Sequence, residues 1–418
     1  MLYIVDIPPH LCIRCRGSRY LCGLAYCPVV VDSIARIRLE RIEGEVLEGS
    51  SPPSVFVGRT GYPLVRIYPS SPPIRGDTSS YEDPSRWLQI DLEEFLAMRL
   101  SMVRGYREYR VEVASKPPRE LEDIMALSLS PGPSDVEMLF ERKPRGDVIL
   151  SDISPPMGPS APLKRISLGS LRPVERIVEK VYSDRDLRAR DAIYILYSSG
   201  IDVHRISRIL SVGAMGRRRR VVPTRWAITA VDKTVSDSIL KEVKGYSVID
   251  KVMLYKRYSN KNLFIAILIP HSWAFEWGEA WYPGTIWNMW GTYPWVEVDY
   301  EGYHGRRDYP AIGGCYYASR LAVLEALRSI RRQAAVITWR EIYEGFDLPV
   351  GVWYVRENMR AMLRTEPEVF DSLGEALARA RELMRTPIER FISRSGVLRI
   401  IAARKITGFI NESMSTRL

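Results

Sequence analysis

Four of the chain's five cysteines, Cys12, Cys15, Cys22 and Cys27, fall in one short segment, as Cys-x2-Cys, six residues, then Cys-x4-Cys. Cys-x2-Cys is the turn from which two thiolates chelate one ion, and tetrahedral zinc takes four such soft ligands at about 2.3 Å. The spacing therefore predicts a four-cysteine zinc site. An iron-sulfur cluster is served by four thiolates equally well, and disulfides are the alternative where the surroundings are oxidising. Cys315 lies far away in the chain and reads as an ordinary buried thiol. Arg14, Arg16 and Arg19 are interleaved with the cysteines, so closing the loop either presents three guanidinium groups to phosphates or leaves them to solvate the knuckle.

A second set of reactive types is His271, Glu276, Glu279, Glu297, Asp299 and Asp308, from which an acid, a base or a divalent-metal site can be assembled. None stands in His-Glu-x-x-His spacing. The enzyme reading of the chain places a divalent ion on Glu276, Glu279 and Asp308 for processing nucleic acid. Six of the ten tryptophans lie in the same region, between Trp273 and Trp295. Such rings stack on exposed bases or, more commonly, fill a core.

The third candidate is the run Gly216-Arg217-Arg218-Arg219-Arg220, followed by Pro223-Thr224-Arg225-Trp226. Adjacent like charges repel unless an anion is near, so the run reads as a phosphate-facing or solvated loop. Arg217, Arg218, Arg219, Arg220 and Arg225 are its expected DNA contacts. A net charge of +10 and a pI near 9.3 favour a polyanionic partner.

Elements must hold these groups. Leu92, Phe95, Leu96 and Leu100 are spaced for a helix, and a strand is expected over Tyr106 to Val113. Two helices broken by Gly200 are predicted between Ser183 and Leu210, with a joint that resembles a helix-turn-helix. A strand is expected from Trp226 to Val231, and Lys251 to Tyr258 with Asn262 to Ile269 forms a hairpin around Ser259-Asn260-Lys261. A helix is expected over Ser319 to Gln333, and another opens at Ser372-Leu373-Gly374-Glu375 with capping-box spacing. Ile34 to Leu39 reads as basic and amphipathic. Ser-Pro-Pro tripeptides at Ser51, Ser71 and Ser154 open extended loops, because proline fixes its own φ and turns its predecessor away from the helix. Gly58-Arg59-Thr60-Gly61-Tyr62-Pro63 lacks the Lys-Ser/Thr ending of a phosphate loop.

The fold class expected is α+β, a large mixed body with a small N-terminal four-cysteine zinc module. The divisions are residues 1–50 for the module, 51–395 for the body with its Pro-rich loops and basic segment, and 396–418 for a tail. Met1 to Ile7 has no cleavable apolar core and Leu263 to Pro270 is too short to span a bilayer, so a cytoplasmic protein with no membrane partner is expected.

The tail carries Ala403, Ile406, Phe409 and Ile410 at the positions of a peptide that plugs the sliding clamp PCNA: glutamine, aliphatic, aromatic, aromatic. Ile406 and Phe409 match, while Ala403 and Ile410 depart from the pattern. Together with the four-cysteine segment, the runs Ser51 to Arg59, Gly61-Tyr62-Pro63, Pro223 to Asp232, Trp273-Ala274-Phe275-Glu276 and Glu279-Ala280-Trp281 resemble the archaeal Nre family of DNA repair proteins over nearly the whole chain. The resemblance implies action on damaged DNA, a C4-type zinc finger at Cys12, Cys15, Cys22 and Cys27, and, in one branch, a clamp-binding tail carried here by Ile406, Phe409 and Ile410. It brings no assigned catalytic residues.

Overall fold

The structure is a computed structural model that describes residues 7–36, 44–146 and 148–403. In chain order the elements begin with helices α1 (Pro9–Cys15) and α2 (Pro28–Arg36), then strands β1 (Val46–Ser51), β2 (Ser54–Val57) and β3 (Leu64–Ser71). Helices α3 (Pro84–Trp87) and α4 (Leu92–Leu100), β4 (Val103–Arg110), α5 (Arg119–Leu129), β5 (Ser134–Phe140) and β6 (Ser160–Leu168) follow. Four helices come next, α6 (Arg176–Ser183), α7 (Ala189–Ser198), α8 (Val203–Ser211) and α9 (Thr224–Val243). The remainder is β7 (Val252–Ser259), β8 (Asn262–Ile269), β9 (Ala274–Trp281), β10 (Trp295–Glu301), α10 (Cys315–Ile330), β11 (Ala335–Ile342), α11 (Trp353–Leu363), β12 (Glu368–Phe370), α12 (Leu373–Leu383) and α13 (Glu389–Ile392).

This is an α+β chain with two compact units. One unit contains Ile34–Ser238 with Pro349–Tyr354; the other contains the chain up to Ser33, Ile239–Leu348 and the chain from Val355 onward. The division inside the span 51–395 was not expected, and the cysteine segment belongs to the second unit. In the first unit a six-stranded sheet runs β1-β5-β6-β4-β3-β2. Its neighbours are antiparallel except for the parallel pair β4 and β6.

The sheet of the second unit runs β10-β9-β11-β8-β7-β12. β9 and β11 are parallel, and the other pairs are antiparallel. Every residue of β8, β9 and β11 is buried, as expected of central strands covered on both faces. Ile265, Ile267, Ala280, Ile337 and Trp339 pack with Ala376, Ala380, Phe391 and Val397 on one of those faces. Of the tryptophan-rich segment, Trp273, Trp277, Trp281 and Trp287 are core residues, while Trp290 is exposed.

The β7–β8 hairpin closes at Ser259 paired with Asn262, with Asn260 and Lys261 in the left-handed region that a two-residue turn requires. Ser372 and Glu375 form the reciprocal capping box at the start of α12. The expected strand at Trp226 to Val231 is instead the first part of α9. Ala227, Ile228, Val231, Val235 and Ile239 are buried at helical spacing, and Pro223 stands just before the first turn. The strand expected to reach Val113 ends at Arg110, and a 3₁₀ turn occupies Val111–Ser115. Of Ile34 to Leu39, residues 34–36 end α2 and residues 37–39 lie outside the described residues. Among the described residues no helix is long and apolar enough to cross a membrane.

Candidate functional site

The cysteine loop is built by two short helices. Cys12 and Cys15 sit one turn apart on α1, which starts on Pro9 and stops where Arg16 turns left-handed at φ 49°. Gly17 follows at φ 66°, and a side chain there would stand 2.9 Å from Val30 Cγ2. That position therefore needs glycine twice over, for its backbone and for its space. Cys27 precedes α2, and its sulfur accepts from the backbone N–H groups of Val29 and Val30. Burial still holds its thiol above its ordinary pKa, against those two donors.

All four thiols line one pocket, closed on its apolar side by Ile7, Leu11, Val29 and Trp287. Burial first, and then the neighbouring Cys27, Cys15 and Cys22, push the Cys12 thiol up to about 12. Four thiolates cannot coexist there without a cation, which is the condition a soft metal relieves. The donor set fits such an ion. Yet among the described residues no three His, Cys, Asp or Glu side chains stand close enough together to hold one, so the thiols are gathered without being closed into a tetrahedron.

Of the arginines between the cysteines, Arg16 faces inward, while Arg14 and Arg19 stay exposed. Arg16 is buried and ion-pairs with the buried Glu279 of β9, while its other nitrogens donate to Ile13 O at 2.9 Å and Cys315 Sγ at 3.3 Å. Arg340 of β11 holds the opposite oxygen of Glu279 at 3.2 Å, and Trp281 Nε1 donates to the same carboxylate at 3.3 Å. Arg14 is half exposed and pairs with Glu297 at 2.7 Å. Arg19 rests over the Tyr309 ring. Arg16 is thus a structural arginine and no phosphate contact.

The carboxylates do not assemble. Glu276 and Glu279 are three residues apart on one strand, and side chains alternate across a sheet, so they leave β9 on opposite faces. Glu276 accepts from Trp339 Nε1 at 3.0 Å, Ser395 Oγ at 2.7 Å and the Val397 amide at 3.2 Å. Burial nevertheless keeps its pKa raised. Asp299 holds Arg306 at 3.0 Å and the Ile312 amide at 2.9 Å, and Asp308 is exposed. The divalent-metal site expected on Glu276, Glu279 and Asp308 is therefore not brought together.

The basic run divides by burial. Arg217, Arg218 and Arg220 are exposed. Arg219 turns inward, donating to the Tyr182 carbonyl with its guanidinium 4.9 Å over the Tyr182 ring. Arg225 is held by Asp152 through two contacts, at 2.5 and 3.2 Å. Gly216, at φ 91°, lies so close to Ala189 that an added side chain would meet its Cβ at 3.0 Å. That approach sets the run beside the start of α7, where Arg185, Arg188 and Arg190 are also exposed. Asp184 in that loop caps the Asp186 and Leu187 amides, both at 2.9 Å. Among the described residues none of Arg185, Arg188, Arg190, Arg217 or Arg218 makes an ion pair, and only Arg220 reaches a carboxylate, Glu112 at 4.0 Å. Sequence reasoning missed Arg185, Arg188 and Arg190 around the start of α7, although Arg-x2-Arg-x-Arg was visible as a second basic run.

The helix pair does not present a reading helix. In α8 only His204 and Arg205 are less than buried, which leaves no free face for a groove. The clamp-like residues Ile406, Phe409 and Ile410 lie outside the described residues.

The description "Archaeal Nre, N-terminal" matches residues 21–288, and "Archaeal Nre, C-terminal" matches residues 301–409. A curated relative named DNA repair protein NreB, from Archaeoglobus fulgidus, is 45% identical over 93% of this chain and 97% of its own. DNA repair protein NreA of the same organism is 37% identical over 88% and 92%. DNA repair protein NreA of Haloferax volcanii is 35% identical over 82% and 84%. No solved structure matches the chain.

Proposed function

Since the chain belongs to the archaeal Nre family, we propose that it acts in DNA repair by holding DNA against the exposed arginines of its first unit. The observation that carries this is the juxtaposition of Arg185, Arg188 and Arg190 with Arg217, Arg218 and Arg220, all exposed and nearly all without an acidic partner. Unpaired arginines side by side repel one another, and a phosphate backbone removes that repulsion while releasing its own counterions. Such contacts position the duplex or strand without reading its sequence. The test is oligonucleotide binding as a function of salt, with these arginines intact and replaced.

The four cysteines are proposed to hold zinc in a structural role, supported by their gathering on one pocket and by the soft donor set. Elemental analysis of the purified chain should give one zinc per molecule, and Cys15→Ser should abolish it. A metal content that stays at zero in fresh, folded protein, or iron with visible absorbance, contradicts zinc.

The tail is proposed to dock on the sliding clamp through Ile406 and Phe409. Calorimetry of the full chain with PCNA should show binding that Phe409→Ala removes. Equal affinity of the two proteins contradicts that role.

A further inference from the structure

The first unit contains a second pocket, small and open to solvent. It is walled by Glu82, Arg99, Ser154, His204 and Arg208, with Phe56 and Met157 supplying an apolar side. Ser54 to Phe56, which follow the first Ser-Pro-Pro run, Ser154-Pro155 of the third, and Thr224 at the start of α9 all line it. We infer that this pocket binds a phosphate group, with Arg208 as its principal cation.

The charges decide the sign. Glu82 is committed: its Oε1 takes Arg99 at 2.7 Å and Ser54 Oγ at 2.6 Å, and its Oε2 contacts His204 Nε2 at 2.5 Å. Burial raises its pKa, but Arg99, His204 and Arg208 outweigh that and hold the carboxyl well below the ordinary range, so it is ionised. Arg99 is equally occupied, donating also to the Pro156 carbonyl at 3.1 Å and to Tyr81 O at 2.5 Å. Arg208 differs. It is only 9% exposed, its hydrogen bonds go to the Ser128 and Ser130 carbonyls at 3.1 and 3.5 Å, and among the described residues no carboxylate pairs with it. Burial pulls its guanidinium down to about 10, still charged at neutral pH. Glu82 and Asp202 act on Arg208 from a distance, but neither forms an ion pair with it, so its guanidinium on the pocket wall has no carboxylate in direct contact.

A buried charge without a direct partner is costly to hold. An oxyanion entering the pocket supplies that partner. The guanidinium fork matches phosphate oxygens two at a time. The Ser154 hydroxyl, which makes no hydrogen bond among the described residues, adds a neutral donor. Phe56 and Met157, packed with Tyr68 in one cluster, then face the organic part of a phosphate ester.

The test uses the full chain, with inorganic phosphate, adenosine 5′-monophosphate and adenosine compared by calorimetry against sodium chloride at equal ionic strength. Both phosphates should bind and adenosine should not. Tighter binding of the monophosphate assigns the site to an ester, and equal or tighter binding of inorganic phosphate assigns it to the free anion. Arg208→Gln should weaken binding by roughly 10- to 100-fold, the worth of a charge-assisted hydrogen bond. Ser154→Ala should weaken it several-fold, and it decides the matter if Arg208→Gln does not fold. Replacing Arg217, Arg218 and Arg220 should leave phosphate affinity unchanged, which separates this pocket from the DNA surface. The inference is overturned if neither phosphate binds beyond chloride, if Ser154→Ala binds like the parent, or if affinity vanishes with the surface arginines.

Discussion

Glu279→Ala is expected to destabilise the protein by about 3–5 kcal/mol, the cost of leaving buried charges without their partner. Glu279 is fully buried between Arg16 and Arg340, each of which is itself buried. Its removal strands two guanidinium groups at once and leaves the Trp281 indole N–H without its acceptor. Glu279→Gln keeps the shape and the hydrogen-bonding oxygen but not the charge, so it should fall between the parent and the alanine variant. Urea unfolding followed by tryptophan fluorescence reads the difference directly, because Trp281 and Trp339 report on this sheet. A loss below about 1 kcal/mol for Glu279→Ala would mean that the arginines find water or another carboxylate, and that the network is no keystone. Because Arg16 directly follows Cys15, the same substitution should loosen the cysteine loop.

That contact shows where sequence reasoning reaches its limit. Elements set by local pattern were legible: the hairpin at Ser259 to Asn262, the capping box at Ser372 and the helices on either side of Gly200. Each depends on residues within a few positions of one another. The helix α9 was missed because the window Trp226 to Val231 is rich in β-branched residues. Only the longer series Ala227, Ile228, Val231, Val235 and Ile239 reveals the 3.6-residue period. Pairings such as Arg16 with Glu279 join residues 263 positions apart and leave no local trace.

The functional residues divide in the same way. Four cysteines at short spacing announced a shared pocket, and they share one. Four consecutive arginines announced a charged surface, but a loop with this twist turns one of them inward, so Arg219 covers Tyr182 while its neighbours face solvent. Arg225 was read with them on composition alone and is spent on Asp152. Glu276 and Glu279 looked like a pair until a strand was laid through them, and strand alternation then sends them apart. The pocket around Arg208 could not be read at all, since its walls come from six separate stretches of chain.

Fluorescence anisotropy of a labelled oligonucleotide, titrated from about 50 to 200 mM salt, measures how many phosphates the protein neutralises, since for each contact log K falls with log salt at a slope of about 0.9 on duplex DNA and about 0.7 on a single strand. With Arg185, Arg188, Arg190, Arg217, Arg218 and Arg220 all exposed, the parent should show a steep slope. The combined change Arg217→Ala, Arg218→Ala, Arg220→Ala should flatten that slope by about 2–3 and weaken binding roughly 100-fold at the low-salt end. A parent that binds no oligonucleotide at low salt, or a triple variant with the parent's slope and affinity, contradicts the proposal that this face holds DNA.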